Sequence, residues 1–166
     1  MTATKKPDGR TITAREPRAV PWLSVVLGFG PMVPFVGGAI LAWWCVGEIR
    51  EGFIMLTTLW GGAILVFLSG VRRGVSFRTE GGPRPAQLST MFGLFSLGFL
   101  ALAAAVRNEP STALALLILG YGGIAILDPI AARRGEAPLH FARLRPLQMP
   151  VAILGLGALL VLTFRG

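Results

Sequence analysis

The stretch Trp60-Gly61-Gly62-Ala63-Ile64-Leu65-Val66-Phe67-Leu68-Ser69-Gly70-Val71-Arg72-Arg73-Gly74 decides the fold. Upstream of it the chain is already uncharged from residue 53, so a single apolar run covers 53–71 and stops on two adjacent arginines. A helix of about 20 apolar residues crosses the roughly 30 Å of bilayer hydrocarbon, and this run has that length. Arginines that follow such a run directly resist translocation and hold that end on the cytoplasmic side. Working outward, four more runs of the same kind lie at about 22–46, 88–106, 111–127 and 147–164. The expected fold is an all-α integral membrane protein of five transmembrane helices.

The basic residues set its orientation. The six polar segments left between and beside the runs carry Lys+Arg in the order 5, 1, 4, 1, 4, 1. Crowded segments stay inside and sparse ones are exported, which predicts an N-in/C-out chain. On that topology the outer segments hold Arg50, Arg107 and Arg165 against Glu48, Glu51 and Glu109 and sum to zero. The whole net charge of +8 then lies on the inner side. A pI near 11.5 normally raises nucleic-acid binding. Here the basic charge is instead placed against acidic headgroups, at about 1 kcal/mol per residue near the surface. The expected partners are the membrane, anionic lipid headgroups and other membrane proteins, with no nucleic acid.

Residues 1–20 read as a polar, basic cytoplasmic tail, and 21–166 as the transmembrane domain. The first run is too long for a signal-peptide core and lacks a small-residue cleavage site, so it reads as a retained span. Asp8 and Glu16 are atypical of a transit peptide. The chain is placed in a bacterial inner membrane, with the mitochondrial inner membrane as the alternative.

The first run contains Gly28-Phe29-Gly30-Pro31-Met32-Val33-Pro34-Phe35. Two residues without a backbone N–H within one turn should kink or break the helix. Carbonyls freed at membrane depth persist only if they are buried in protein or line a cavity. The second reading makes Pro31, Pro34, Trp60 and Tyr121 candidate cavity residues.

Sliding the chain by 61 residues aligns the second and third spans with the fourth and fifth. Trp60-Gly61-Gly62 falls on Tyr121-Gly122-Gly123, Arg72-Arg73-Gly74 on Arg133-Arg134-Gly135, and Arg84-Pro85-Ala86-Gln87 on Arg145-Pro146-Leu147-Gln148. Both copies enter from the same side, which predicts a parallel hairpin repeat with the first helix added at its flank. Pairs of small residues four apart, Ser24/Gly28, Gly38/Ala42, Gly70/Gly74 and Ala101/Ala105, are sites where helix backbones approach closely.

Ionisable groups at depth are scarce. Asp128 stands before Pro129 at the inner end of the fourth span, where the helix dipole disfavours an anion. It needs a cation, and Arg72, Arg73, Arg133 and Arg134 are the available ones; a structural ion pair is the favoured reading. Arg72, Arg73, Arg84, Arg133, Arg134, Arg143 and Arg145 are candidate contacts for lipid or a partner, since a guanidinium fork grips phosphate and carboxylate. Trp22, Trp43, Trp44 and Trp60 suit an interface belt, with a deeper place in the bundle as the alternative for Trp60. The single cysteine, Cys45, excludes an intrachain disulfide and reads as apolar filler, and one histidine, His140, makes metal clusters improbable. No phosphate loop, nucleophile elbow or zinc motif is present. No catalytic, cofactor-binding or metal-ligating residue is assigned, and no cofactor is expected.

These residues also carry a family resemblance. Residues 27–35, the stretch from Trp60 to Gly74, and the segment running from Asp128 through Ala137-Pro138-Leu139-His140-Phe141-Ala142-Arg143-Leu144-Arg145 resemble a bacterial membrane-protein family known only as a domain of unknown function. That family also includes the mitochondrial transmembrane protein 69. The likeness spans about residues 21–160. The chain departs from it at Arg73-Gly74, where a tryptophan-glycine ending is expected. It departs again at Leu139-His140-Phe141, where the family tends to carry Trp-Tyr. The resemblance implies a multi-pass inner-membrane protein and brings no activity, cofactor or catalytic residue.

Function is therefore expected to be non-enzymatic: a structural, accessory or assembly protein that packs against a larger membrane complex and acidic lipid. The alternative is a small-solute permease or lipid-binding protein built on the broken first helix.

Overall fold

A computed structural model describes residues 22–77, 82–135, 137 and 140–165; the basic tail at 1–20 lies outside them. All regular structure among these residues is helical: α1 (Trp22–Phe29), a 3-10 turn (Gly30–Met32), α2 (Val33–Trp44), α3 (Gly47–Ser76), α4 (Pro85–Val106), α5 (Pro110–Arg133) and α6 (Phe141–Thr163). Taken as one rod, Trp22–Trp44 has 23 residues, and α3 to α6 have 30, 22, 24 and 23, with mean hydropathy of 1.8 to 2.0. All five are long and apolar enough to cross a bilayer, so the chain is a multi-pass membrane protein.

The helices outrun the apolar runs. Helix α3 begins at Gly47, takes Glu48, Arg50 and Glu51 into its first turns, and carries Arg72 and Arg73 before ending at Ser76. Hydropathy falls at the first charge, whereas arginine and glutamate are good helix formers and let backbone bonding continue. Asp128 was expected to close its span before Pro129, yet Pro129 lies inside α5. That helix ends at Arg133 and is closed by Gly135 at φ +71, a left-handed conformation that glycine adopts without a Cβ penalty. Similarly α6 starts at Phe141, so Arg145 and Pro146 belong to the helix rather than to a loop.

The double-proline break resolves into a 3-10 turn between two α segments. Val33 N–H donates to Gly30 O, the carbonyl that Pro34 cannot serve. Neighbouring helices serve two more carbonyls of this region: Gln148 of α6 donates to Gly28 O, and Trp60 of α3 donates through Nε1 to Pro31 O at 2.9 Å. The interruption is stitched to its neighbours, as protein-buried carbonyls in a bilayer require.

Glycines set the tightest crossings. A Cβ on Gly38 of α2 would lie 1.9 Å from Thr57 Oγ1 of α3, and one on Gly155 of α6 would lie 2.6 Å from Phe35 O of α2. The first rod thereby meets both α3 and α6 at close range. Helices α3 and α4 cross backbone to backbone at Gly62 and Gly98. Gly38/Ala42 and Ala101/Ala105 are buried as expected. Gly70 and Gly74 are not at a crossing, because a Cβ at either would meet nothing within 4 Å. The core between the helices is filled by Met32, Phe35, Leu65, Leu94, Leu114, Leu117, Tyr121, Ile124, Met149 and Leu156.

Candidate functional site

At the end of the bundle where α3 and α5 finish and α4 and α6 begin, polar side chains form a connected series. Helix α5 brings Asp128 inward, 4 % exposed. Its Oδ1 accepts from Arg72 of α3 through Nε at 2.9 Å and also through Nη2. Its Oδ2 faces Nε of Arg145 of α6 at 3.0 Å, a close ion pair although that N–H is not aimed at the oxygen. Arg72 continues through Nη1 to Thr90 Oγ1 of α4 at 2.9 Å. Arg145 continues through Nη1 to Gln148 Oε1 at 3.1 Å, and its guanidinium stacks over the Phe141 ring at 4.7 Å. Gln148 then donates to Gly28 O of α1. The series Thr90–Arg72–Asp128–Arg145–Gln148–Gly28 thus touches all five spans.

Charge explains why these groups are found together. A lone carboxylate near the C-terminal end of α5 is disfavoured by burial and by the helix dipole. Two guanidiniums reverse that and, among the described residues, leave the cluster at net +1. The expectation that Asp128 would find an arginine is met by Arg72. Arg73, Arg133 and Arg134 do not pair with it. Arg73 turns to Ser76 and the Phe77 ring; Arg133 and Arg134 are exposed. Arg145 was expected among the lipid or partner contacts. It is 6 % exposed and inside the bundle, because the helix starts at Phe141 and presents position 145 to the core. Arg72, with 16 % of its side chain exposed, is likewise mainly an internal residue. Arg84 and Arg143 lie exposed, and Arg84 N–H donates to Gln87 Oε1 in the first turn of α4.

Next to the cluster is a cavity of about 90 Å³ between α3, α4, α5 and the start of α6. Arg72, Gln87, Thr90, Asp128 and Arg134 give it polar walls, and Val75, Leu127, Ile130 and Phe141 apolar ones. A larger cavity of about 770 Å³ opens at the opposite end, lined among others by Glu48, Arg50, Glu51, Thr58, Asn108 and Thr163.

Pro31, Trp60 and Tyr121 line neither cavity. Tyr121 is fully buried, donates to Gly61 O at 2.9 Å and meets the Phe35 ring edge-on at 5.3 Å. Trp60 sits on Pro31 O, and Pro34 is half-buried in the α2 start. Of the four residues expected around a void, Pro31, Trp60 and Tyr121 make contacts that join the first rod, α3 and α5. The sequence pointed to none of Thr90, Gln148 or Gly28 as part of the cluster. Their signal was the register itself, since Gln148 stands three residues after Arg145 and so on the same helix face.

Comparison with known proteins assigns the chain. The model of a family described as "Protein of unknown function (DUF3429)" matches residues 20–161. The chain belongs to this family. The matched part of this DUF3429 chain contains the whole polar series from Gly28 to Gln148 and every residue lining the smaller cavity. No curated protein and no solved structure matches the chain.

Proposed function

We propose that the protein is a non-enzymatic structural or accessory component of a bacterial inner membrane, packing laterally against a larger membrane complex and acidic lipid. The observation that carries this reading is the division of its polar groups. At depth, Arg72, Asp128, Arg145, Gln148, Trp60 and Tyr121 are engaged in contacts that tie helices to one another. At one rim, Arg84, Arg133, Arg134 and Arg143 are exposed. A rigid body with a basic rim suits a part held by neighbours and headgroups. Purified in mild detergent, the protein should come away with stoichiometric membrane partners; a monodisperse monomer under the same conditions would overturn the reading.

Two finer features belong to this proposal. The arginine-rich end faces the cytoplasm, by the one-sided distribution of basic residues. The hairpins α3–α4 and α5–α6 descend from one duplicated unit. In support, the aligned Trp60 and Tyr121 each donate to a carbonyl of an earlier span, and the aligned Arg84/Gln87 and Arg145/Gln148 pairs each bond within their own helix start. The kinship with mitochondrial transmembrane protein 69 is part of the same proposal and brings no activity with it.

A permease or lipid-binding role is the second reading. It was framed on the broken first helix, whose Pro31 O accepts from Trp60; the cavity beside Arg72 is the observation that favours it, on the lipid-binding side.

A further inference from the structure

We infer that the cavity of about 90 Å³ beside Arg72 is a binding site for a phosphate-bearing anion, with an acidic phospholipid headgroup as its source. This rests on reading the arginine-rich end as the one that meets acidic lipid.

Among the described residues the buried cluster holds two guanidiniums against one carboxylate, an excess of one positive charge. An unbalanced charge removed from water is costly, and an anion at the cavity would balance it. Arg72 lines the cavity and supplies the donors. A guanidinium carries five N–H groups, and the bonds to Asp128 and Thr90 engage three of them, which leaves two for a ligand. Arg134 adds a second guanidinium at the exposed side of the same cavity. Ala86 and Gln87 belong to the first turn of α4, a helix of 22 residues, whose dipole also favours an anion there. Near the end of α5 the Ile130, Ala131 and Ala132 carbonyls, which would repel one, are engaged by Arg134 N–H and Gly135 N–H. Asp128 reaches the cavity too, with its oxygens facing Arg72 and Arg145.

The shape of the charge suits phosphate, whose several oxygens accept from two forks at once. The apolar walls of Val75, Leu127, Ile130 and Phe141 suit the glycerol and acyl part of a lipid better than a fully hydrated ion.

The test uses the full chain in nonionic detergent, with thermal unfolding followed while phosphatidylglycerol, phosphatidylcholine, inorganic phosphate or a glutamate-rich peptide is titrated. Phosphatidylglycerol should raise the unfolding temperature and phosphatidylcholine should not. Arg134→Gln, at an exposed position, should weaken the response about tenfold through loss of a charge-assisted contact. Ala131→Leu, which fills the cavity, should abolish it while the variant stays monodisperse and helical. A response to inorganic phosphate with the same two sensitivities supports the site and names the free ion as a source. An equal phosphatidylglycerol response in wild type and both variants, no response to either phosphatidylglycerol or inorganic phosphate, or stabilisation by the peptide alone would overturn the inference. Partner co-purification with the same variants separates this from the accessory role: a variant that loses the lipid response and keeps its partners sinks only the site.

Discussion

At the residue scale the cluster around Asp128 is an exercise in charge counting. Removing the carboxylate leaves Arg72 and Arg145 facing one another inside the bundle, at +2, whereas removing either arginine leaves a neutral pair. Breaking a buried pair by taking one partner typically costs about 3–5 kcal/mol, chiefly because a charge is left uncompensated. Asp128→Asn should therefore destabilise the protein by about 3 kcal/mol or more, and Arg72→Gln by distinctly less. Adding Arg72→Gln to Asp128→Asn should recover part of the loss. Thermal unfolding of the three variants in one detergent checks the order; Arg72→Gln costing as much as Asp128→Asn would contradict it. Lone hydrogen bonds at depth are smaller matters. Trp60→Phe, which deletes the donor to Pro31 O, should cost about 1 kcal/mol, near the values measured for interhelical bonds in membranes. A loss of several kcal/mol would instead make the indole a major support of the helix break.

At the scale of elements the helices meet where a missing Cβ lets them. Gly155→Ala places a carbon 2.6 Å from the Phe35 carbonyl oxygen, which is backbone and cannot rotate aside. The first rod and α6 must part, at a cost of about 1–3 kcal/mol. Gly70→Ala meets nothing and should be neutral or slightly stabilising, since alanine is the better helix former. The two variants, compared by unfolding in the same detergent, discriminate a real crossing from spacing alone. Gly38/Ala42 and Gly70/Gly74 have the same sequence pattern and opposite fates. One faces Thr57 of a neighbour and the other faces outward, and nothing local to either pair encodes which.

At the scale of the whole molecule the prediction is topological. A reporter active only outside the cytoplasm should work when fused after Gly166 and stay silent in the segment between Arg72 and Ala86; the reverse pattern would invert the bundle. On the expected topology the cluster and the smaller cavity lie at the inner headgroup level, and the cavity of about 770 Å³ opens outward. The aligned halves differ there. Arg72 and Arg145 turn inward while Arg133 and Arg84, at the matching positions, are exposed. Asp128 has Phe67 as its counterpart, an exposed side chain. If the hairpins are copies, each supplies one arginine to a carboxylate that only the second possesses.

The sequence by itself determined five apolar helices, because a bilayer demands length and hydropathy and both are read residue by residue. It also determined that Asp128 needs a cation, because burial of a lone anion is unfavourable in any fold. Helix ends were less legible: arginine and glutamate lower hydropathy without ending a helix, so Arg72 and Arg145 looked like rim residues. Tertiary structure alone decided that Arg145 points inward, that Gln148 reaches Gly28 O, and that Trp60 donates to Pro31 O and Tyr121 to Gly61 O. The physical reason is that rotation of each helix about its axis selects which arginines meet Asp128 and which stay exposed. That rotation is set by packing at glycines such as Gly38, Gly98 and Gly155, between residues far apart in the chain.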